Sequence, residues 1–254
     1  MKVNIRRDAI TDLVNQAGAI TVEELAEQMD TSRETIRRDL NLLVDRGRIR
    51  KYHGGASALA PTEENAFHLR MGEMAGAKRL IARQAAALFK PGDSLFIDTG
   101  STTVYFAEEL SRAGHISAIT NSTAIARLMH GAKNANQVFL IGGEYAGDAS
   151  ETVGQLALSQ IAQFHADHVV LTIGGLSADV GATDFDIKEA EVARAMLAQA
   201  HTLTILADAA KLGRTALFEV CPISRIDRLV TEDGVYTTPA DILDLLKVSG
   251  GASS

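Results

Sequence analysis

Between Ser32 and Ala56 stand seven basic residues, Arg33, Arg37, Arg38, Arg46, Arg48, Arg50 and Lys51, against three acidic ones, Glu34, Asp39 and Asp45. Guanidinium groups at that density suit phosphate oxygens, and an Arg fork suits a guanine edge. A second set of residues suits a smaller anion. Asp98-Thr99-Gly100-Ser101-Thr102-Thr103 follows an apolar run and precedes a helical stretch, so three hydroxyls and a glycine sit where free helix amides favour a phosphate. Thr120-Asn121-Ser122 closes another apolar run in the same way, and Lys211 in Asp208-Ala209-Ala210-Lys211-Leu212-Gly213 offers a positive charge beyond a third.

Catalytic signatures are missing from the sequence. It holds no Gly-x-Ser-x-Gly elbow, no Gly-x-x-x-x-Gly-Lys-Ser/Thr loop and no Gly-x-Gly-x-x-Gly fingerprint, and no cofactor is expected. Cys221 is the only cysteine, which rules out an intrachain disulfide and a cysteine-based zinc site. His165-x-x-His168 would bring two imidazoles together at a helix end, but without further ligands nearby no metal is expected. Isomerase chemistry needs a carboxylate base, for which Asp98, Asp186 and Glu191 are the candidates; the chain is nevertheless expected not to be an enzyme.

The elements that must position these residues fall into two parts. In residues 1–57, Ile10, Leu13, Val14 and Ala17 lie on one face of a first helix, and Val22, Leu25, Ala26 and Met29 on one face of a second that starts after Thr21. Only Asp30 and Thr31 separate it from a third, where Thr31 and Glu34 fit a capping box and Ile36, Leu40 and Leu43 form the apolar stripe. Arg48 to Gly55 then reads as a basic strand ending in a Gly-Gly turn. A tight turn, a cationic second helix and a basic ribbon predict a winged helix-turn-helix.

Residues 58–75 read as a linker around Pro61, although a helical pattern with Leu80, Ile81, Ala85 and Leu88 already resumes from Phe67 to Phe89. From 76 to 248 short apolar runs alternate with helical stretches: 94–97, 116–119, 138–141, 169–173, 203–206 and 226–230. That rhythm predicts a doubly wound, mostly parallel α/β domain, whose ligands bind beyond the carboxyl ends of the strands. Residues 249–254 read as a flexible tail.

The chain carries 25 Lys+Arg against 32 Asp+Glu, a net charge of −7. Residues 1–56 hold 10 and 9 of these and the remainder 15 and 23, so the two parts stand at +1 and −8. No run reaches the roughly 18 apolar residues of a membrane helix. The opening Met1-Lys2-Val3-Asn4-Ile5-Arg6-Arg7-Asp8 has no signal-like apolar stretch, so a cytoplasmic protein is expected.

Thr31-Ser32-Arg33-Glu34-Thr35-Ile36-Arg37-Arg38-Asp39-Leu40 with His53-Gly54-Gly55-Ala56 resembles the DNA-binding signature of DeoR-type bacterial transcriptional regulators, with Thr31 in place of the usual Val. That resemblance implies that Ser32, Arg33, Thr35, Arg37 and Arg38 face the major groove or its phosphates, and that Arg50, Lys51 and His53 grip the backbone from the wing. It extends through Asp98-x-Gly100-Ser101-Thr102-Thr103, Thr120-Asn121-Ser122, Gly142-Gly143, Glu191 and Asp208-x-x-Lys211-x-Gly213 to the family's effector domain, whose fold is related to ribose-phosphate isomerases and CoA transferases. The implied effector is a phosphorylated sugar or sugar-derived metabolite. The hydroxyl loop would hold phosphate, and Asp98, Asn121 and Lys211 would contact phosphate or hydroxyls.

Ala77 and Ala193 depart from the family's usual Glu and Lys. Asp184-Phe185-Asp186-Ile187-Lys188-Glu189 and Gln163-Phe164 resemble the glycerol-3-phosphate-responsive branch. The implied function is a repressor of a carbohydrate or polyol catabolic operon, acting on double-stranded operator DNA as a homo-oligomer, a dimer or tetramer.

Overall fold

The computed structural model describes residues 3–17, 19–45, 49–52, 54–57, 67–132, 134–146 and 149–250. Arg46, Arg48, His53, residues 58–66 of the expected linker and residues 251–254 of the expected tail lie outside them. The chain divides into two compact units, Met1–Leu69 and Arg70–Ser254, within the stretch expected as a linker.

The first unit runs α1 (Val3–Ala17), β1 (Ala19–Thr21), α2 (Val22–Gln28), α3 (Arg33–Asp45), β2 (Arg50–Tyr52) and β3 (Gly55–Ser57). Ile10, Val14, Leu25, Ile36, Leu40 and Leu43 bring the three helical stripes into one core, closed below by Ile20, Ile49 and Ala56. Ala17, expected on the inner stripe, is exposed at the end of α1.

A reciprocal capping box does form in this unit, but on α2. The Thr21 side chain accepts from the Glu24 amide at 3.2 Å, and the Glu24 carboxylate accepts from the Thr21 amide at 2.8 Å. At α3 the cap is Ser32, whose Oγ accepts from the Thr35 amide at 3.2 Å. Thr31 lies one residue too early: its amide closes the preceding turn onto the Ala26 carbonyl behind Asp30, which sits at φ 44°.

The three strands pair antiparallel in the order β1-β3-β2, a winged arrangement. The strand β1 is too short for a period to announce. Gly55 lets β3 cross it: a Cβ there would lie 2.4 Å from the Ile20 carbonyl oxygen.

Next come α4 (Phe67–Arg70), at the boundary between the units, and α5 (Ala75–Ala86), where one helical pattern was expected, broken at Met74 with φ 50°. The buried stripe of α5 is Lys78, Ile81, Ala82 and Ala85, spaced i, i+3, i+4, i+7. In that phase Leu80 points outward and is 49% exposed.

There follow β4 (Ser94–Ile97), α6 (Ser101–Leu110), β5 (Ser117–Thr120), α7 (Thr123–Gly131), β6 (Gln137–Leu140), β7 (Glu144–Ala146), β8 (Glu151–Val153), α8 (Gln155–Ile161) and β9 (Ala166–Thr172). Then come β10 (Gly175–Ser177), β11 (Gly181–Asp184), α9 (Ile187–Ala198), β12 (Ala200–Leu206), β13 (Phe218–Cys221), β14 (Arg228–Val230), β15 (Val235–Tyr236) and α10 (Pro239–Gly250).

Seven strands form the main sheet in the order β15-β14-β12-β9-β4-β5-β6, parallel except for β15. The central strands are covered on both faces and are near-continuous apolar runs, whereas the edge strand β6, expected as a buried run, leaves Phe139 and Leu140 exposed. Successive side chains enter opposite cores: Phe96, Val169, Leu171, Leu203 and Ile205 one, Leu95, Ile97, Val170 and Leu206 the other. From β4 the chain steps outward through β5 and β6, then returns to β9 on the other side of β4. The strand order therefore reverses between β4 and β9, the place at which sheets of this type form a ligand crevice beyond the carboxyl ends. Two small sheets, β7-β8 and β10-β11-β13, stand apart from the main one.

His165 and His168 do not share a helix end: α8 stops at Ile161 and His168 is inside β9, where it lies 3.6 Å from Asp93. Among the described residues no His/Cys/Asp/Glu cluster fit for a metal ion occurs, and no helix is long and apolar enough to cross a membrane.

Candidate functional site

With Ile36, Leu40 and Leu43 turned into the core, α3 presents Arg33, Arg37, Arg38 and Asn41 to solvent, with Ser32 at its tip. The Ser32 and Thr35 hydroxyls lie 2.9 Å apart, so both are committed to the start of the helix as well as standing at its outer face. Among the described residues Arg33 makes only an exposed 3.5 Å pair with Glu23, a contact that phosphate readily outcompetes. Arg50 and Lys51 belong to β2, and the Lys51 ammonium donates to Asn41 Oδ1 at 2.6 Å, tying the wing to α3.

One residue of the Arg-Arg-Asp run turns the other way. Asp39 is 2% exposed; its Oδ2 accepts from Arg6 Nε and its Oδ1 from Arg7 Nε, both at 2.7 Å. It braces α1 against α3. Its place between Ile36 and Leu43 on the inner side was the sequence signal for that role.

In the second unit the crevice forms around Asp98, just past β4. The Thr172 amide at the end of β9 donates to Asp98 Oδ2 at 2.8 Å, joining the two strands where their order reverses. Gly100 is required by space, since a Cβ there would lie 2.1 Å from Thr172 Oγ1. It also leaves α6 without a side-chain cap, so the first amides of that helix remain available to an acceptor.

The predicted hydroxyls divide into two groups. Thr103 donates to the carbonyls of Asp98 and Gly100, Thr120 Oγ1 accepts from the Ser122 amide, and Ser122 caps α7. Those three hold backbone. Ser101 and Thr102, buried at the start of α6, make no side-chain hydrogen bond among the described residues.

Asn121 links the crevice sideways. Its Oδ1 accepts from Thr99 at 3.4 Å and its Nδ2 donates to Glu151 Oε2 at 3.2 Å and to the Thr152 carbonyl at 3.1 Å. Glu151 escapes a motif reading because what matters about it is burial, and only its charge inside a strand-length run hints at that. Burial pushes its carboxyl up to about 7, helped by the negative charges of Asp186 and Asp184 and opposed by the Asn121 hydrogen bond. Asp98 is also raised well above the carboxylate range, by burial first and then by Asp184, against the Thr172 amide. Asp184 closes β11, and its Oδ1 accepts from the Phe185 amide at 2.7 Å.

Lys78 is a buried cation that α5 carries inward. Its ammonium donates to the Arg70 carbonyl; burial lowers its pKa, while Asp208 and Glu73 raise it and the nearby charge of Lys211 lowers it. Lys211 stands in the one-turn helix Ala209–Lys211, capped by Asp208.

Other predicted residues lie away from this cluster or are engaged elsewhere. The Gly142 amide donates to Gln160 Oε1 at 2.9 Å, and a Cβ on Gly143 would lie 2.7 Å from the Val153 carbonyl, so both glycines serve the packing between the end of β6 and its neighbours. Asp186 caps α9 by accepting from the Lys188 amide, and Glu191 is exposed on the same helix. Cys221 is buried and its thiol is pushed up to about 11 by burial, so it carries no reactivity.

Comparison with known proteins assigns both units. Residues 6–62 match the DeoR-like helix-turn-helix domain and residues 73–233 the DeoR C terminal sensor domain. The glycerol-3-phosphate regulon repressor of Escherichia coli (strain K12) is 32% identical over 232 residues, 91% of this chain and 92% of its own length. The HTH-type transcriptional repressor CsqR of the same organism is 30% identical over 91% of this chain and 88% of its own. Among solved structures, the tetrameric eIF2B-beta2-delta2 complex from C. thermophilum aligns with 96% of this chain and 72% of its own at a TM-score of 0.50 and 12% identity, a likeness of fold. With one model matched in each compact unit and repressors alike over nine-tenths of its length, the chain belongs to the DeoR family of transcriptional regulators.

Proposed function

We propose that this regulator is a cytoplasmic repressor of a carbohydrate or polyol catabolic operon, and that a phosphorylated sugar or sugar-derived metabolite releases it from its operator. The observation that carries the reading is the start of α6: uncapped amides, two uncommitted hydroxyls on Ser101 and Thr102, and a position at the switch point of the sheet. Such a place takes a phosphate. The exposed cations of α3 supply the DNA side, with Arg33, Arg37 and Arg38 reading or gripping the duplex and Lys51 holding the wing in register. Glycerol 3-phosphate is the first effector to test, since a relative is a glycerol-3-phosphate regulon repressor.

One helix-turn-helix reads few base pairs, so the working form is a homo-oligomer that sets two reading helices about 34 Å apart. Release requires the effector to prefer the weakly binding conformation, because a ligand indifferent to the two shifts nothing. The protein is not an enzyme: its raised carboxyls serve recognition.

Ser101→Ala with Thr102→Ala keeps operator affinity and raises the effector concentration for half-release by tenfold or more, read by mobility shift of the upstream DNA titrated with sugar phosphates. An unchanged response removes the loop from the phosphate site. Turnover of an aldose or ketose phosphate that Asp98→Asn abolishes would establish an isomerase instead.

A further inference from the structure

We propose that the sensor crevice selects by the charge of the part of the ligand that is not phosphate: it accepts a phosphorylated sugar or polyol bearing hydroxyls and rejects a phosphorylated sugar acid of similar size. This rests on the phosphate reading of the α6 start and concerns the opposite wall.

That wall is built from three carboxyls delivered by three elements. Asp98 follows β4, Glu151 opens β8 and Asp184 closes β11; they are 7%, 4% and 7% exposed. They act on one another across the crevice, Asp184 on both Asp98 and Glu151, with Asp186 at the head of α9 adding negative charge at Glu151 and Arg70 on α4 opposing it. Asp98 Oδ2 is held by the Thr172 amide and hydroxyl, whereas Oδ1 is enclosed and has no hydrogen-bond partner among the described residues. A buried oxygen left so is costly unless something else meets it.

A ligand hydroxyl meets it in either protonation state, donating to an ionised carboxylate or accepting from a protonated one. A ligand carboxylate can accept from a protonated Asp98 but has no proton for an ionised one. It would also bring a further negative charge into a desolvated space where burial and the charges of Asp186 and Asp184 already raise the Glu151 carboxyl, which is discrimination by repulsion.

The test uses matched pairs that share the phosphate: glycerol 3-phosphate with 3-phosphoglycerate, glucose 6-phosphate with 6-phosphogluconate, and ribose 5-phosphate with 5-phosphoribonate. Each is titrated into the full chain by calorimetry at about pH 8. For any pair that binds, the neutral-ended member should bind at least tenfold tighter than its acid. The ratio should shrink severalfold in Glu151→Gln or in Asp184→Asn, whichever melts no lower than the wild type. It should also shrink in the wild type at about pH 6, where Glu151 takes up its proton.

An acid member that binds as well as its partner in the wild type overturns the proposal, and so does a ratio that neither variant changes. Binding of no member at all defeats the phosphate reading, and this inference with it.

Discussion

Glu151 gives the sensor a carboxyl that is uncomfortable at neutral pH. Its folded value of about 7 lies above the unfolded value of 4.5, so the stability it contributes is complete below 4.5 and is lost as pH rises through 7. Gln keeps an oxygen for the Asn121 amide and never ionises. Glu151→Gln should therefore match the wild type in unfolding at pH near 5 and exceed it by on the order of 2 kcal/mol near pH 8.5. Urea titrations of both proteins at the two pH values read this directly; curves that differ equally at both would mean that Glu151 is not the titrating group. The cost is tolerated in the free protein for a reason the crevice supplies: a carboxylate that wants a hydrogen-bond donor is a good receptor for a hydroxyl.

At the scale of elements, α3 divides its labour by face. Ile36, Leu40 and Leu43 seat it, and Arg37 and Arg38 face outward with no side-chain partner among the described residues. Replacing both by Ala should cost operator affinity by about a hundredfold or more, each lost base or phosphate contact being worth roughly 1 to 3 kcal/mol, while calorimetric effector binding stays as it was. Retained operator binding would place the reading face elsewhere.

The helices were legible in the sequence because a 3.6-residue stripe is written over a dozen positions, as with Ile36, Leu40 and Leu43. The parallel strands were legible because burial on both faces leaves runs such as Leu95-Phe96-Ile97. Three-residue strands such as β1, β7 and β8 were not, since period 2 over so few residues resembles any turn. The cap of α3 was misplaced by one residue, because Thr31 and Ser32 carry equivalent hydroxyls and only the turn at Asp30 decides which amide is left over. In the crevice, Asp98 and the α6 loop announced themselves as a motif. Glu151, Thr172 and Lys78 did not, because each acquires its part only through burial against residues distant in the chain.

For the whole molecule, the net charge of −7 is a sum over unlike parts, about neutral through residue 56 and −8 beyond. The sensor unit is repelled by DNA, so nonspecific binding should be weak and the specific complex should depend on local cations. Operator affinity is expected to fall by at least tenfold between about 50 and 200 mM salt, as counterions released by the bound arginines and lysines are lost as a driving force. A log-log plot of affinity against salt measures the number of phosphates neutralised, and the Arg37 and Arg38 variant should show a shallower slope. A flat plot would mean that phosphate contacts carry little of the affinity.

The brace at Asp39 has a bearing on genetics. Arg37, Arg38 and Asp39 are adjacent codons, and a collection of alleles that fail to repress would place all three in one tract. Two of them would lose grip on DNA. The third would leave Arg6 and Arg7 without their carboxylate and unsettle the seat of the reading helix, so its defect should ease at low growth temperature while theirs persists. Temperature-sensitive alleles in such a tract would then mark the inward-facing residue, and cold-insensitive ones the outward-facing pair.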